Sequence, residues 1–218
     1  MNLNADFSER VMIHCDEIEW KASPMPGVDR RMLDRIGDEV ARATTIVRYA
    51  AGSKFSSHTH TGGEEFIVLE GVFQDEHGDF PVGTYVRNPP TSSHTPRSDE
   101  GCTIFVKLWQ FDLDDRNQVT IDMNKQAESS DNVALFNDAR EHVSFHTWHA
   151  GDEVEMELPR GGEFFVLEGG FEEGGDKLRK HSWLRLPQGA KFQAKIGAEG
   201  AKVWIKTGHL PFAKAPRV

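Results

Sequence analysis

A nine-residue string occurs twice in this 218-residue chain, and no other feature constrains the fold as strongly. Residues 65–73 read EFIVLEGVF, and residues 163–171, 98 positions later, read EFFVLEGGF. At the same offset Tyr85-Val86-Arg87-Asn88-Pro89 falls on Trp183-Leu184-Arg185-Leu186-Pro187. At an offset of 99, Tyr49-Ala50-Ala51-Gly52 falls on Trp148-His149-Ala150-Gly151, and Phe105-Val106-Lys107 falls on Trp204-Ile205-Lys206. Matches in register across about half the chain are the mark of a duplicated unit.

The repeated segments are short, rich in β-branched and aromatic residues, and separated by Gly, Pro and Asn. Strands are predicted over 40–49, 65–72, 83–87 and 103–111, with counterparts over 143–148, 163–167, 182–186 and 202–206. Strands this short, spaced by turn signals, argue for an all-β sandwich or barrel in each unit. A helical turn or two is expected within 24–35, after Pro26, and the polar stretch 112–138 carries the connection between units. The first domain is expected to run over 1–118, with residues 1–36 as an extension adding edge strands. The second domain is expected over 119–218.

Composition narrows the function. Lys plus Arg number 25 against 35 Asp plus Glu, a net charge of -10. Such a surface repels phosphate backbones and anionic lipid, and no basic run offsets it, so direct nucleic-acid or membrane binding is not expected. The N-terminal residues lack the basic and apolar regions of a signal peptide, and no apolar run approaches the ~20 residues of a membrane span. Cys15 and Cys102 are far apart, which excludes a disulfide framework or a Cys-rich zinc finger. The expected compartment is the cytoplasm.

Among ten histidines, most are scattered singly. The exception is His58-Thr59-His60, with Glu64 four residues on and His94 beyond a Pro-rich turn. On a strand, residues i and i+2 share a face, so His58 and His60 project together. A turn through Gly62-Gly63 then lets Glu64 face the same point. Three imidazoles and a carboxylate suit a first-row divalent metal with one or two positions left open.

Gly52, His58, His60, Glu64 and Gly71 have the spacing of the first signature motif of the cupin superfamily. Gly83, Pro89 and His94 resemble the second, with Thr91 where the usual glycine stands and Ser98 where an asparagine often does. The chain therefore resembles an RmlC-like bicupin, two double-stranded β-barrels (jelly rolls) in tandem. The histidine motif with Gly62-Gly63 and His94-Thr95-Pro96 is most similar to the cupin domain of the anti-sigma factor ChrR. The resemblance implies one divalent metal per chain on His58, His60, Glu64 and His94. Zinc is the expected ion, with iron, manganese, nickel or copper as in enzymatic cupins. At the repeat offset these positions hold Met156, Leu158, Gly162 and Phe192, so the second barrel is expected to carry no metal.

Two functions follow from the resemblance. One is a ligand or oxidant sensor of the ChrR type, in which Cys102 near the metal responds to oxidation. The other is a metal-dependent small-molecule dioxygenase, whose pocket Phe66, Tyr85 and Trp109 would shape. The catalytic residues are left open. A metal-free, sugar-binding cupin is disfavoured by the intact ligand quartet. A small-molecule ligand is the expected partner. A sigma factor is a weaker expectation, since the H-x-x-x-C-x-x-C pattern of the helical binding domain is absent. Exposed barrel edges allow a homodimer.

Overall fold

Along 64–69 the residues alternate between two environments: Phe66 and Val68 join one apolar cluster, while Glu65 points to the opposite face. This two-residue period is the signature of strands packed on both faces, and it recurs throughout the chain. The computed structural model describes residues 1–38 and 40–216. In chain order the strands begin with β1 (Asn2–Leu3), β2 (Val11–His14), β3 (Lys21–Ala22), β4 (Val28–Gly37) and β5 (Ala41–Tyr49). They continue with β6 (Ser53–Lys54), β7 (His58–Thr59), β8 (Glu64–Asp75), β9 (Gly78–Pro81) and β10 (Thr84–Asn88). Next come β11 (Ser93–His94), β12 (Arg97–Ser98), β13 (Cys102–Leu108) and β14 (Val119–Asp122). After the short helix α1 (Met123–Ala127) follow β15 (Asn132–Asn137), β16 (His142–Trp148), β17 (Glu153–Leu158) and β18 (Gly162–Glu173). The last strands are β19 (Asp176–Arg179), β20 (Ser182–Leu186) and β21 (Ala190–Thr207).

The chain forms two all-β units. One comprises Met1–Ala5, Glu19–Asn124 and Lys214–Val218; the other comprises Asp6–Ile18 and Lys125–Ala213. The first has the strand order β4-β5-β13-β8-β10-β14 and the second has β15-β16-β21-β18-β20-β2, position for position the same. The strand that closes the order comes from different places. In the first unit it is β14, which pairs with β10 so that Val119 faces Arg87. In the second it is β2, which pairs with β20 so that Val11 faces Arg185. An aromatic ring covers each guanidinium, Phe111 at 4.2 Å from Arg87 and Phe7 at 4.1 Å from Arg185.

Two expectations need correction. The extension does not belong wholly to the first domain, because residues 6–18 complete the second unit, and the boundary lies after Asn124 instead of at 118. The turn of helix expected within 24–35 is instead a turn at Gly27, with φ +77°, leading into β4. Pairing of β4 along the whole of β5 satisfies its backbone in an extended form, and that tertiary pairing overrides the helix-start signal of Pro26.

Each unit has its own apolar core. In the first it includes Val47, Phe66, Val68, Phe73, Val86, Ile104 and Val106. In the second it includes Phe164, Val166, Phe171, Leu184, Phe192, Val203 and Ile205. The reverse faces of the same strands carry a buried polar pair that also repeats. The Tyr85 hydroxyl donates to Glu65 Oε2 at 3.0 Å, and Trp183 Nε1 donates to Glu163 Oε2 at 3.2 Å. Among the described residues no helix is long and apolar enough to cross a membrane.

Candidate metal centre

Two backbone hydrogen bonds fix the segment that carries the histidines. His60 N–H donates to the Ser92 carbonyl and Thr91 N–H donates to the His60 carbonyl, each at 2.9 Å. Beside them β7 pairs with β11, so that His58 and His94 are direct partners across the ladder. The Gly62-Gly63 turn then delivers Glu64 to the head of β8. A Cβ at Gly62 would stand 2.1 Å from the Trp109 ring, and one at Gly63 would stand 2.4 Å from Phe111. Gly63 also has φ +78°, a left-handed conformation that glycine adopts freely. A larger residue would have to displace Trp109 at position 62 or Phe111 at position 63.

The four side chains singled out from the sequence converge. One ring nitrogen each from His58, His60 and His94 lies within 4.8 Å of the others. The ring centroids are 4.6–5.0 Å apart. Glu64 Oε2 lies 3.5 Å from His60 Nε2 and 3.7 Å from His94 Nε2. His60, Glu64 and His94 are buried, whereas His58 is exposed and marks the open side. The Nε2 atoms of His60 and His94 are buried with no hydrogen-bond partner. Buried imidazole nitrogens aimed together at a carboxylate are a costly arrangement unless a shared ligand satisfies them. A divalent cation fits this donor set, with two or more neutral imidazoles and a carboxylate as ligands.

The surroundings bias the protonation states. Burial lowers the pKa of His60, favouring the neutral ring that can ligate. Burial acts the same way on His94, but hydrogen bonding to Asp75 and the charge of Glu64 outweigh it and raise the pKa. His94 Nδ1 lies 3.1 Å from Asp75 Oδ2, which leaves Nε2 as the atom facing the centre. Burial works against the Asp75 carboxylate, yet the His94 ring and the His77 N–H hold its pKa below the usual value. Glu64 Oε2 also accepts from Asn88 Nδ2 at 3.3 Å, and Asn88 Oδ1 accepts from Gln118 at 3.3 Å. Asp75, Asn88 and Gln118 escaped the sequence reading. Nothing in their spacing marks them, because they reach the ligands from other strands and loops.

Other expectations fall away. Tyr85 lies on the reverse face with Glu65 and does not line the pocket, whereas Phe66 does belong to the inner cluster. Cys102 is not among the converging side chains. On β13 it pairs with Gly71 and joins the apolar cluster with Phe66 and Phe73. Burial pushes its thiol up to about 11, so the reactive thiolate is scarce at neutral pH.

In the second unit the ladder pair equivalent to His58 and His94 is Met156 and Phe192. Phe192 stacks on Phe164 at 4.1 Å and 10°, with Leu158 in the same cluster and Met156 packed against it. The places held by His58, His60 and His94 in the first unit are taken here by apolar side chains packed together.

The sequence profile of the family described as the ChrR Cupin-like domain matches residues 8–112, the stretch that contains all four converging side chains. Over that stretch, just under half of the chain, the sequence is similar to cupins. No curated protein matches it in sequence. Among solved structures, the chain is similar to a candidate dioxygenase from Nostoc punctiforme, with a TM-score of 0.74 at 15% identity. That match covers 96% of this chain and 88% of the other. It is also similar to the Escherichia coli pirin YhhW in complex with nickel(II), at TM-score 0.64, 12% identity and coverage of 91% and 98%. A third is salicylate 1,2-dioxygenase from Pseudoaminobacter salicylatoxidans, in its adducts with gentisate, at TM-score 0.65 and 11% identity, covering 94% and 82%. At these identities the likeness is one of fold.

Proposed function

We propose that the first unit binds one divalent metal ion through His58, His60, Glu64 and His94. In this reading the centre makes the chain a cytoplasmic regulatory protein of the ChrR kind, responsive to a small-molecule ligand. The observation that carries the proposal is the pair of buried, unpartnered Nε2 atoms of His60 and His94 converging with His58 and Glu64. Zinc is the proposed ion, in keeping with the similarity to the ChrR cupin domain and with its preference for imidazole and carboxylate donors. When bound, the metal supplies a Lewis-acidic position that an anionic or carbonyl ligand can occupy. The exposed ring of His58 marks the side from which such a ligand arrives. Asn88 holds the Glu64 carboxylate, and Asp75 holds the His94 ring.

A second reading, a dioxygenase, is favoured by the coverage of nearly the whole chain by the candidate dioxygenase from Nostoc punctiforme. It needs a redox-active ion at the same four residues. Elemental analysis of protein purified without added metal tests both readings. About one equivalent of zinc, lost in the His58→Ala/His60→Ala double variant, supports sensing. Iron accompanied by oxygen uptake on candidate aromatic substrates supports catalysis. No metal above background in the unaltered protein would defeat both.

A further inference from the structure

The hairpin joining β8 to β9 puts three consecutive side chains on the segment that carries His94. Gln74 Oε1 accepts from the backbone N–H of Asp99 at 2.9 Å. Asp75 Oδ2 meets His94 Nδ1 at 3.1 Å, while its Oδ1 accepts from the His77 N–H at 2.7 Å. Glu76 Oε2 accepts from the backbone N–H of Thr95 at 2.7 Å. Residues 94–99 are thus held at three points by residues 74–76. Asp75 is itself fixed from within its own turn, so it cannot follow a wandering imidazole.

The repeat shows what happens to this turn where the ligands are gone. At the offset of 98, Asp75, Glu76, His77 and His94 fall on Glu173, Gly174, Gly175 and Phe192. Glu173 is turned instead to Arg10, at 2.8 Å, and the two glycines have no side chains to reach the neighbouring segment. Both hairpins keep the same pairing, Asp75 with Gly78 and Glu173 with Asp176. The backbone of the turn survives without its polar grip, so the grip is not needed to form the hairpin. It accompanies the histidine.

We propose that Asp75 is a positioning residue of the metal centre and that, with Glu76, it makes the β8–β9 turn a clip that sets metal affinity through His94. This rests on the metal-site reading above. A carboxylate on Nδ1–H fixes the tautomer with Nε2 free, restrains ring rotation and raises the basicity of the ligating nitrogen. Losing such a partner costs about 10- to 100-fold in metal affinity.

The test uses the full chain with zinc alone as the probe, its affinity measured by competition with a chromophoric chelator. Asp75→Ala is expected to weaken zinc binding about 10- to 100-fold, Glu76→Ala less than that, and Glu173→Gln in the second unit not at all. Nitrogen-15 NMR of the metal-free protein at pH 8 gives a readout that needs no metal. The His94 ring is expected as the Nδ1–H tautomer in the unaltered protein and is expected to shift towards Nε2–H in Asp75→Ala. If Asp75→Ala does not fold, Asp75→Asn keeps the shape and removes the charge, and a several-fold loss of affinity is expected. Undiminished affinity in whichever variant folds, with the unaltered protein binding zinc, overturns the role of Asp75 and leaves the metal site standing. Failure of the unaltered protein to bind zinc overturns the site and the clip together.

Discussion

His58 and His94 are Cα partners across a two-strand ladder, and Met156 and Phe192 hold the equivalent places in the second unit. One pair is polar and open on the His58 side; the other is closed by stacking of Phe192 on Phe164. The same topology therefore accommodates either a cluster of imidazoles and a carboxylate or a filled apolar interior.

From that comparison we expect the metal to be dispensable for folding. Chelation should lower the melting temperature only as far as mass action dictates, with cooperative unfolding retained. A structural ion behaves otherwise, because its binding free energy is part of the folding free energy. Calorimetry with and without chelator distinguishes the two. Loss of the cooperative transition on chelation would mark the site as a structural one.

Thr91 gives a second prediction. It has φ +77°, a left-handed conformation that a β-branched residue adopts only at a cost, and its side chain is exposed. The residue 98 positions on is Gly189, with φ +78° and nothing within 4 Å of where a Cβ would stand. Thr91→Gly should raise stability by about 1 kcal/mol, or about 2–4 °C in melting temperature, and Gly189→Thr should lower it by a similar amount. A lower melting temperature for Thr91→Gly contradicts the strain argument.

These positions show what the sequence made legible. The repeat was readable because strands buried on both faces need apolar and paired polar residues in fixed alternation, which is why Glu65/Glu163 and Arg87/Arg185 align. The convergence of His58, His60 and Glu64 was readable because Gly62-Gly63 and the His58/His60 spacing are local. The origin of the strand beside β20 was not. Val11-Met12-Ile13-His14 has no counterpart at the repeat offset, and only long-range pairing assigns it to the second unit. Asp75 was unreadable for the same reason, since its partner lies across a different hairpin.

Cys102 supplies a prediction with a pH dependence. With its thiol pushed up to about 11, the thiolate fraction at pH 7 is on the order of 1 in 10,000, against a few per cent for an ordinary cysteine. Modification by a thiol reagent under native conditions should be slow at pH 7 and should quicken with each unit of pH towards 11. Cys15 is buried as well, so both thiols should titrate promptly only after denaturation. Rapid labelling of Cys102 in the native protein at pH 7 would restore it as an oxidant-responsive group.

The N-terminal strand carries the last prediction. β2 supplies the second unit with what β14 supplies to the first: Ile13 faces Trp183 as Ile121 faces Tyr85. Met12 packs against the core of the second unit, and Arg10 pairs with Glu173 and Asp176 at 2.8 and 2.7 Å. Arg10 is partly exposed, so most of the contribution should come from the strand pairing and from Met12. Deleting residues 1–18 also removes β1, but it leaves β10 flanked by β8 and β14. Hydrogen exchange should therefore show a selective effect. Amides of β20 that face β2 should lose protection, while those of β10 keep theirs. The bared edge of β20 should also promote association at high protein concentration, as unpaired strand edges do. Equal protection of β20 with and without the segment would mean that its strand does not stabilise the second unit.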